Sequence, residues 1–363
     1  LHLLSRRQRQ MCIRDRINGN YLPTSYDADN KGRITRWAAM AIKAKIYLFE
    51  GNWTQVKNIT STIMTEGGFT LFGSYAGLFE IANEYNSEVI LDAQYRPTSR
   101  EHQMMYAFLP PSLGGYSQLS PLQELVDSYI MLDGKTIKET GTSFDESNPY
   151  ANRDPRLKAT VMYTGNSYTL ADGTEVVINC EKGEGKDGYG VGSDCSATGY
   201  YIKKYWDNTY RATLYSGLNP ILIRYADILL MNAEALAELG ELDKMAWDAT
   251  IKPIRDRAGF TLTSAVEFPE GASKDKLIEI VRNERRSELA LEGHRHKDII
   301  RWRIADDVLN GWCHGLKTNE VVGTDNGYVR VENRAFNANR HYLWPIPQAE
   351  RDLNGNLEQN PNW

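Results

Sequence analysis

The sequence predicts a mainly α-helical protein of tetratricopeptide-like helix pairs that carry a large, irregular, loop-rich region. Three observations predict it. Ile34, Trp37, Ala41, Ala44 and Leu48 recur at helical spacing up to Gly51, and Trp53, Val56, Ile59 and Ile63 follow as the partner helix. Leu222, Tyr225, Ala226, Leu229, Ala233 and Leu236 form a second stripe closed by Gly240, with 241–259 as its partner. Between the two pairs, over 97–219, periodicity fades while Gly, Pro, Asn, Asp and Tyr accumulate.

In chain order, residues 1–16 come first. They show no helical or strand period, and MCIRDR resembles a translated sequencing adaptor, so 1–16 read as a non-native leader. The domain proper then runs 17–363, divided into a helix pair and strand (17–96), a loop-rich ligand region (97–219) and a helical region ending in an extended strap (220–363). In the first pair, Ala38, Ala41 and Ala44 are small enough to let the second helix approach closely. Pro253 should kink or restart the second pair's partner helix. In the C-terminal 342–363, two prolines two apart and repeated Asn predict an extended, turn-rich strap in place of a helix.

The stretch 281–302 organises the rest. Leu277, Val281, Glu284, Glu288 and Leu291 fall on one helical face, so a stripe that begins apolar turns two carboxylates inward, and Gly293 is expected to end the helix. Buried carboxylates need partners, and Arg285, Arg286, Arg295 and Arg301 are the local donors. Glu284, Arg285, Glu288, Arg295, Asp298 and Arg301 are therefore read as structural.

The run Glu284-Arg285-Arg286, Glu288-Leu289, Glu292-Gly293, Arg295, Asp298 and Arg301-Trp302 resembles the C-terminal signature of the SusD/RagB family of outer-membrane nutrient-binding lipoproteins. Other segments are similar to the same family: 32–53 (GRITRWAAMAIKAKIYLFEGNW), 86–95 (NSEVILDAQY), 114–135 with Tyr116 where the family carries Trp, NRDPRL at 152–157, GYYIKKYW at 199–206, and the closing PIPQAE and QNP. The resemblance implies a SusD-like fold and non-catalytic capture of oligosaccharide or polysaccharide at the cell surface. It also implies delivery to a TonB-dependent, SusC-like outer-membrane transporter, with no cofactor. On that resemblance the protein is held at the outer membrane only through an N-terminal lipid anchor absent from this chain, and that anchor, a signal peptide and the family's first helices would precede residue 1.

Composition narrows function independently. The 363 residues are 41% hydrophobic and 25% charged with net charge −5; residues 1–16 carry net +4, leaving the rest at −9. An acidic domain without clustered Lys and Arg argues against nucleic-acid binding. No stretch approaches the roughly 20 apolar residues of a membrane span. Gly183, Gly185 and Gly188 spell GxGxxG, but 189–201 lacks the helical period that a phosphate-binding loop must open. His294 and His296, two apart, point to different sides of a helix, and no CxxC is present, so no metal ligand set is assigned. A weak calcium site at Asp187 and Asp194, and a Cys180–Cys195 bridge, stay open. No nucleophile motif or marked acid pair points to catalysis.

Aromatic residues carry the positive signal. Twenty-one Tyr and eight Trp include many in the loop-rich middle, where an exposed ring has no evident core to join. Sugar C–H faces stack on such rings while polar side chains bind the hydroxyls. Trp206 and Tyr210 are the first candidates, with Asp207, Asn208 and Arg211 as polar neighbours, then Tyr116 and Tyr189. A helical-repeat scaffold binding a protein or peptide, or a peptide-capturing member of the same family, is the alternative reading.

Overall fold

The computed structural model describes residues 22–209 and 213–363. Helix α1 (Arg36–Glu50) starts at Thr35, whose hydroxyl accepts the Ala38 N–H at 3.2 Å, and stops at Gly51 in the left-handed region. Its buried face is Trp37, Ala38, Ala41, Ala44 and Leu48; the three alanines are fully buried beneath α2 (Trp53–Glu66), which returns Val56, Ile59 and Ile63 to the same core. Ile34 precedes the helix and is exposed, so the apolar face begins at Trp37 and not at Ile34.

After strand β1 (Val89–Asp92) the middle of the chain is built from short pieces. They are α3 (Met104–Phe108), α4 (Gln123–Ser128), α5 (Pro155–Thr160), the pair β2 (Val161–Met162) and β5 (Tyr201–Ile202), and the hairpin β3 (Ser167–Thr169) and β4 (Glu175–Val177). This region has its own core, contrary to the expectation from its faded periodicity. Met105, Phe108, Leu109, Met162, Tyr168, Ile178 and Tyr201 are buried together, and Tyr129 and Tyr200 are buried in a neighbouring cluster. Five of its described tyrosines, Tyr129, Tyr168, Tyr200, Tyr201 and Tyr205, are thus core residues, and Tyr168 Oη, for example, donates to the Ile202 carbonyl at 2.6 Å. Gly115 marks how closely these loops pack, since a Cβ there would lie 2.1 Å from the Leu109 carbonyl oxygen. Gly115→Ala is expected to cost about 1–3 kcal/mol, the range for overpacking, read as a lowered urea midpoint.

Strand β6 (Ile221–Arg224) pairs antiparallel with β1 and passes directly into α6 (Tyr225–Leu239). Leu222 is on that strand and exposed, so the second stripe starts at Tyr225 instead. Helix α6 is buried nearly all round against α2, α7 (Lys244–Ala258) and α9 (Lys274–Glu288), which makes it the axis of both helix pairs. Pro253 neither ends nor restarts α7: the buried side chains of Ile251 and Ile254 hold both sides of it in one core. The short α8 (Thr263–Val266) lies between α7 and α9.

Helix α9 stops at Glu288, five residues before Gly293. Leu291 takes a left-handed φ of 63° and is 39% exposed, off the buried face where its spacing placed it. This early turn folds Glu292 back inward, and Gly293, also left-handed, leads into α10 (Arg295–Arg301). Beyond α11 (Ala305–Val308) a three-stranded antiparallel sheet follows that periodicity did not reveal, β7 (Gly311–Lys317), β8 (Thr324–Asp325) and β9 (Tyr328–Arg334) in the order β7-β9-β8. The strap is extended except for α12 (Gln348–Leu353), one short helix started by Pro347.

The inward carboxylates are paired, but by arginines far away in sequence. Glu288 binds Arg224 at 2.6 Å, Arg156 at 2.8 Å and also Arg257; Glu284 binds Arg156 at 2.7 Å and Arg255 at 2.8 Å. Glu292 binds Arg224 at 2.8 Å and Lys204 at 2.7 Å; Glu88 binds Arg224 at 2.6 Å and Arg257 at 3.0 Å; Asp154 binds Arg156 at 2.7 Å. Five carboxylates meet five cations, so this buried cluster is neutral. The expected local donors do not serve Glu284 and Glu288, because Arg285 and Arg286 are turned about 100° and 200° away from Glu284 on the same helix. Arg285 instead joins Asp227 at 2.6 Å and Asp298 at 3.0 Å, and Arg301 joins Asp298 at 2.8 Å and Glu234 at 2.6 Å. Lys45 of α1 completes this second cluster at Asp227, 2.8 Å away. Arg286 donates to the Glu124 carbonyl, and Arg295 lies over the Trp302 ring, neither in an ion pair among the described residues.

Candidate functional site

The segment leaving β5 alternates sharply between core and surface. Lys204 is buried and donates to Glu292, to Tyr75 Oη at 2.9 Å and to the Ala290 carbonyl at 2.8 Å. Burial lowers its ammonium to about 8 despite the Glu292 carboxylate beside it. Tyr205, at φ 64°, packs inward on Phe79 with ring centroids 4.8 Å apart, and its oxygen accepts the Ile221 N–H. That anchoring turns Trp206 the other way.

Trp206 is half-buried. Its indole N–H donates to the Thr169 carbonyl at 2.8 Å, and its ring meets Tyr168 edge-on at 5.2 Å. The ring is therefore held in one orientation before any ligand arrives, which lowers the entropic cost of stacking on it. It lines a groove of ≈ 530 Å³ together with Phe79, Glu80, Thr169, Lys203 and Asn208.

The other sequence candidates fall differently. Asp207 lines the same groove but is 2% exposed, and its carboxylate accepts Thr209 N–H at 3.0 Å, Thr209 Oγ1 at 2.6 Å and Ser216 Oγ at 2.5 Å. It ties the loop to the chain returning at Ser216, leaving Asn208 as the accessible polar neighbour. Tyr210 and Arg211 lie outside the described residues. Tyr116 is exposed and stacks on Tyr106 at 4.2 Å, while Tyr189 packs on the cluster that holds the Tyr150–Tyr163 stack; neither lines the groove. Glu80, Thr169 and Lys203 carry no signal in the sequence. Glu80 and Thr169 reach Trp206 only through tertiary folding, and Lys203 sits in the same KKYW run with no pattern to set it apart.

The remaining motifs resolve as structure. Gly183 and Gly185 sit at positive φ in exposed turns, and the Asp187 carboxylate accepts the Ser112 N–H at 2.8 Å, pinning that loop. Cys180, Cys195 and Cys313 are free thiols. His294 is held down to about 4 by burial beside Arg285 and Lys45, against the pull of Asp227. Among the described residues no group of His, Cys, Asp and Glu is arranged to hold a metal ion, and no helix is long and apolar enough to cross a membrane.

A profile of the SusD family matches residues 78–363. The chain belongs to the SusD family. A SusD-like carbohydrate-binding protein from Bacteroides fragilis superposes with a TM-score of 0.82 at 31% identity, covering 96% of this chain and 70% of that one. The surface glycan-binding protein A of Bacteroides uniformis shares the SusD fold with a TM-score of 0.57 at 20% identity over 96% of this chain and 66% of its own. Among relatives, SusD-like protein P25 of Formosa agariphila is 28% identical over 313 residues, 80% of this chain and 54% of P25. The chain thus spans about half the length of the curated relatives it matches over most of its own length. The superposition on the B. fragilis structure, covering 96% of this chain, takes in both the helix pairs and the irregular middle.

Proposed function

We propose that this chain captures an oligosaccharide without cleaving it, in the groove beside Trp206, and hands it to a TonB-dependent, SusC-like transporter at the outer-membrane surface. The observation that carries the reading is the Trp206 indole, fixed by its bond to Thr169 and its edge contact with Tyr168, at the wall of a groove whose polar lining includes Glu80, Lys203 and Asn208. A rigid aromatic plane with hydroxyl-binding side chains around it suits a pyranose ring. The carbohydrate-binding B. fragilis relative supports the ligand class. Glycoside hydrolysis uses two carboxyl groups flanking the bond; among the described lining residues the acids are Glu80 and Asp207, and Asp207 is buried and engaged. Transporter and cell-surface location rest on family membership alone.

The test is isothermal titration against plant, host and microbial oligosaccharides, with chromatography of the mixture afterwards. Binding to one glycan class is expected, weakened at least about tenfold, ~1.4 kcal/mol, by Trp206→Ala, with no shorter product. Binding that survives Trp206→Ala unchanged, or release of product, would overturn the reading.

A further inference from the structure

A second cavity, of ≈ 520 Å³, opens between α4, the turn after α9, α10 and β7. Its walls are partly apolar, through Leu122, Leu289 and Ile299, and the half-exposed indole of Trp312 stands on its lining. The charges on that lining do not cancel as they do in the buried clusters. Arg285 is paired with Asp227 and Asp298, and Arg334 with Glu332. The Glu124 carboxylate is already engaged, accepting the His314 N–H at 3.0 Å and lying 2.8 Å from His314 Nδ1. Asp298 is held by Arg285 and Arg301. His294, titrating at about 4, is neutral near pH 7. Asp307, the remaining acid of the lining, is exposed to solvent.

What is left is Arg286 and Arg295. Arg286 donates to a backbone carbonyl of α4, that of Glu124, and Arg295 stacks on Trp302 with its guanidinium 5.8 Å from the ring centroid. Neither meets a carboxylate among the described residues. Burial first, and the neighbouring Arg295 charge second, lower the Arg286 guanidinium to about 10. Two like charges side by side at a half-buried wall repel, whereas in the two buried clusters around Glu288 and Asp227 each described arginine meets a carboxylate. An anion between them would relieve that repulsion, and the planar fork of arginine matches a carboxylate or sulfate through parallel N–H···O bonds.

We propose that this cavity is an anion site, taking a carboxylate or sulfate group on a small polar ligand, with Arg286 and Arg295 as its two cationic contacts and Trp312 as an apolar wall against the ligand's body. The inference does not rest on the reading of the Trp206 groove. It also differs in chemistry, because the cations lining the Trp206 groove are Lys203 and Lys204, the latter paired with Glu292, and no arginine is among its described lining residues.

Isothermal titration of the full chain with glucuronate, inorganic sulfate and glucose tests it. Glucuronate or sulfate is expected to bind, glucose not, and the affinity to fall as ionic strength rises, which needs no variant. Arg295→Met keeps an apolar stem over Trp302, and with Arg286→Met it is expected to weaken binding at least about tenfold. Trp312→Ala, at an exposed position, should weaken glucuronate more than sulfate, because only the sugar has a body to rest on the indole. Sulfate binding without glucuronate keeps the site and assigns it to a free oxyanion. No binding of either anion, equal binding of glucose, or binding indifferent to both arginine variants in protein with wild-type urea midpoints would overturn the proposal.

Discussion

Arg224→Met is expected to destabilise the fold by about 3–5 kcal/mol, the range for breaking a buried ion pair by removing one partner. Arg224 is 1% exposed and stands where β6 becomes α6. Its guanidinium reaches Glu88, Glu288 and Glu292 and donates to the Glu288 carbonyl at 2.7 Å, so it joins β1, β6 and the end of α9. Methionine fills similar space but leaves three carboxylates facing low dielectric with fewer cations. The effect is read as a drop in urea midpoint at unchanged m-value. Lys57→Ala is the control: its bridge to Glu241 has both partners exposed to solvent, and its loss should cost less than about 1 kcal/mol. An Arg224→Met shift no larger than the Lys57→Ala shift would contradict the assignment of the cluster as the molecule's internal joint.

Acid should dismantle the same joint. Neighbouring arginines and lysine overcome burial to hold the Glu292 carboxyl down from 4.5 to about 2, and Glu288, Glu284, Asp227 and Asp298 are also depressed by their cations. A carboxylate with a lowered folded pKa contributes stability that is complete above its unfolded value and is lost as pH falls through the folded one. For Glu292 the shift from 4.5 to about 2 corresponds to about 3 kcal/mol. His294, lowered from 6.5 to about 4, acts in the same direction over the preceding window, because the unfolded chain binds its proton first. Burial raises Glu84, Asp92, Asp127 and Asp154, and these four soften the slope. The thermal midpoint is therefore expected to fall gently from about pH 6.5 to about pH 4.5 and steeply from there towards about pH 2. Glu292→Gln should flatten the steep limb. A midpoint constant between about pH 7 and about pH 3 would contradict the charged state assigned to these carboxylates.

The helix pairs are legible in the sequence because their signals are local. Thr35, Asn52 and Asp243 cap their helices through contacts three residues on, and Gly51 and Gly240 end theirs at positive φ. The inward acids of α9 are legible for the same reason, from spacing alone. Their partners are not, because Arg156 lies 132 residues from Glu288 and Arg224 lies 64 away, and no local pattern connects them. The site divides along the same line. Trp206 stands out by its residue type and loop context, whereas Asp207 reads as a ligand residue because its neighbour Ser216, which engages it, is brought near only by the returning chain. Tyr116 and Tyr189 group with Trp206 by composition, and composition does not say which core a ring faces. The β7-β9-β8 sheet leaves little trace because β9, YVRVENR, buries chiefly Val329 and gives little alternation to read.

The central claim, that the Trp206 groove holds a sugar, is tested most directly by a crystal structure of the chain with the tightest-binding oligosaccharide of the titration panel. The expected density shows a pyranose ring face-on to the Trp206 indole, with hydroxyls within hydrogen-bond reach of Asn208, Lys203 or Glu80 and the Thr169 bond to the indole kept. A sugar ordered elsewhere on the molecule with the groove empty would contradict it.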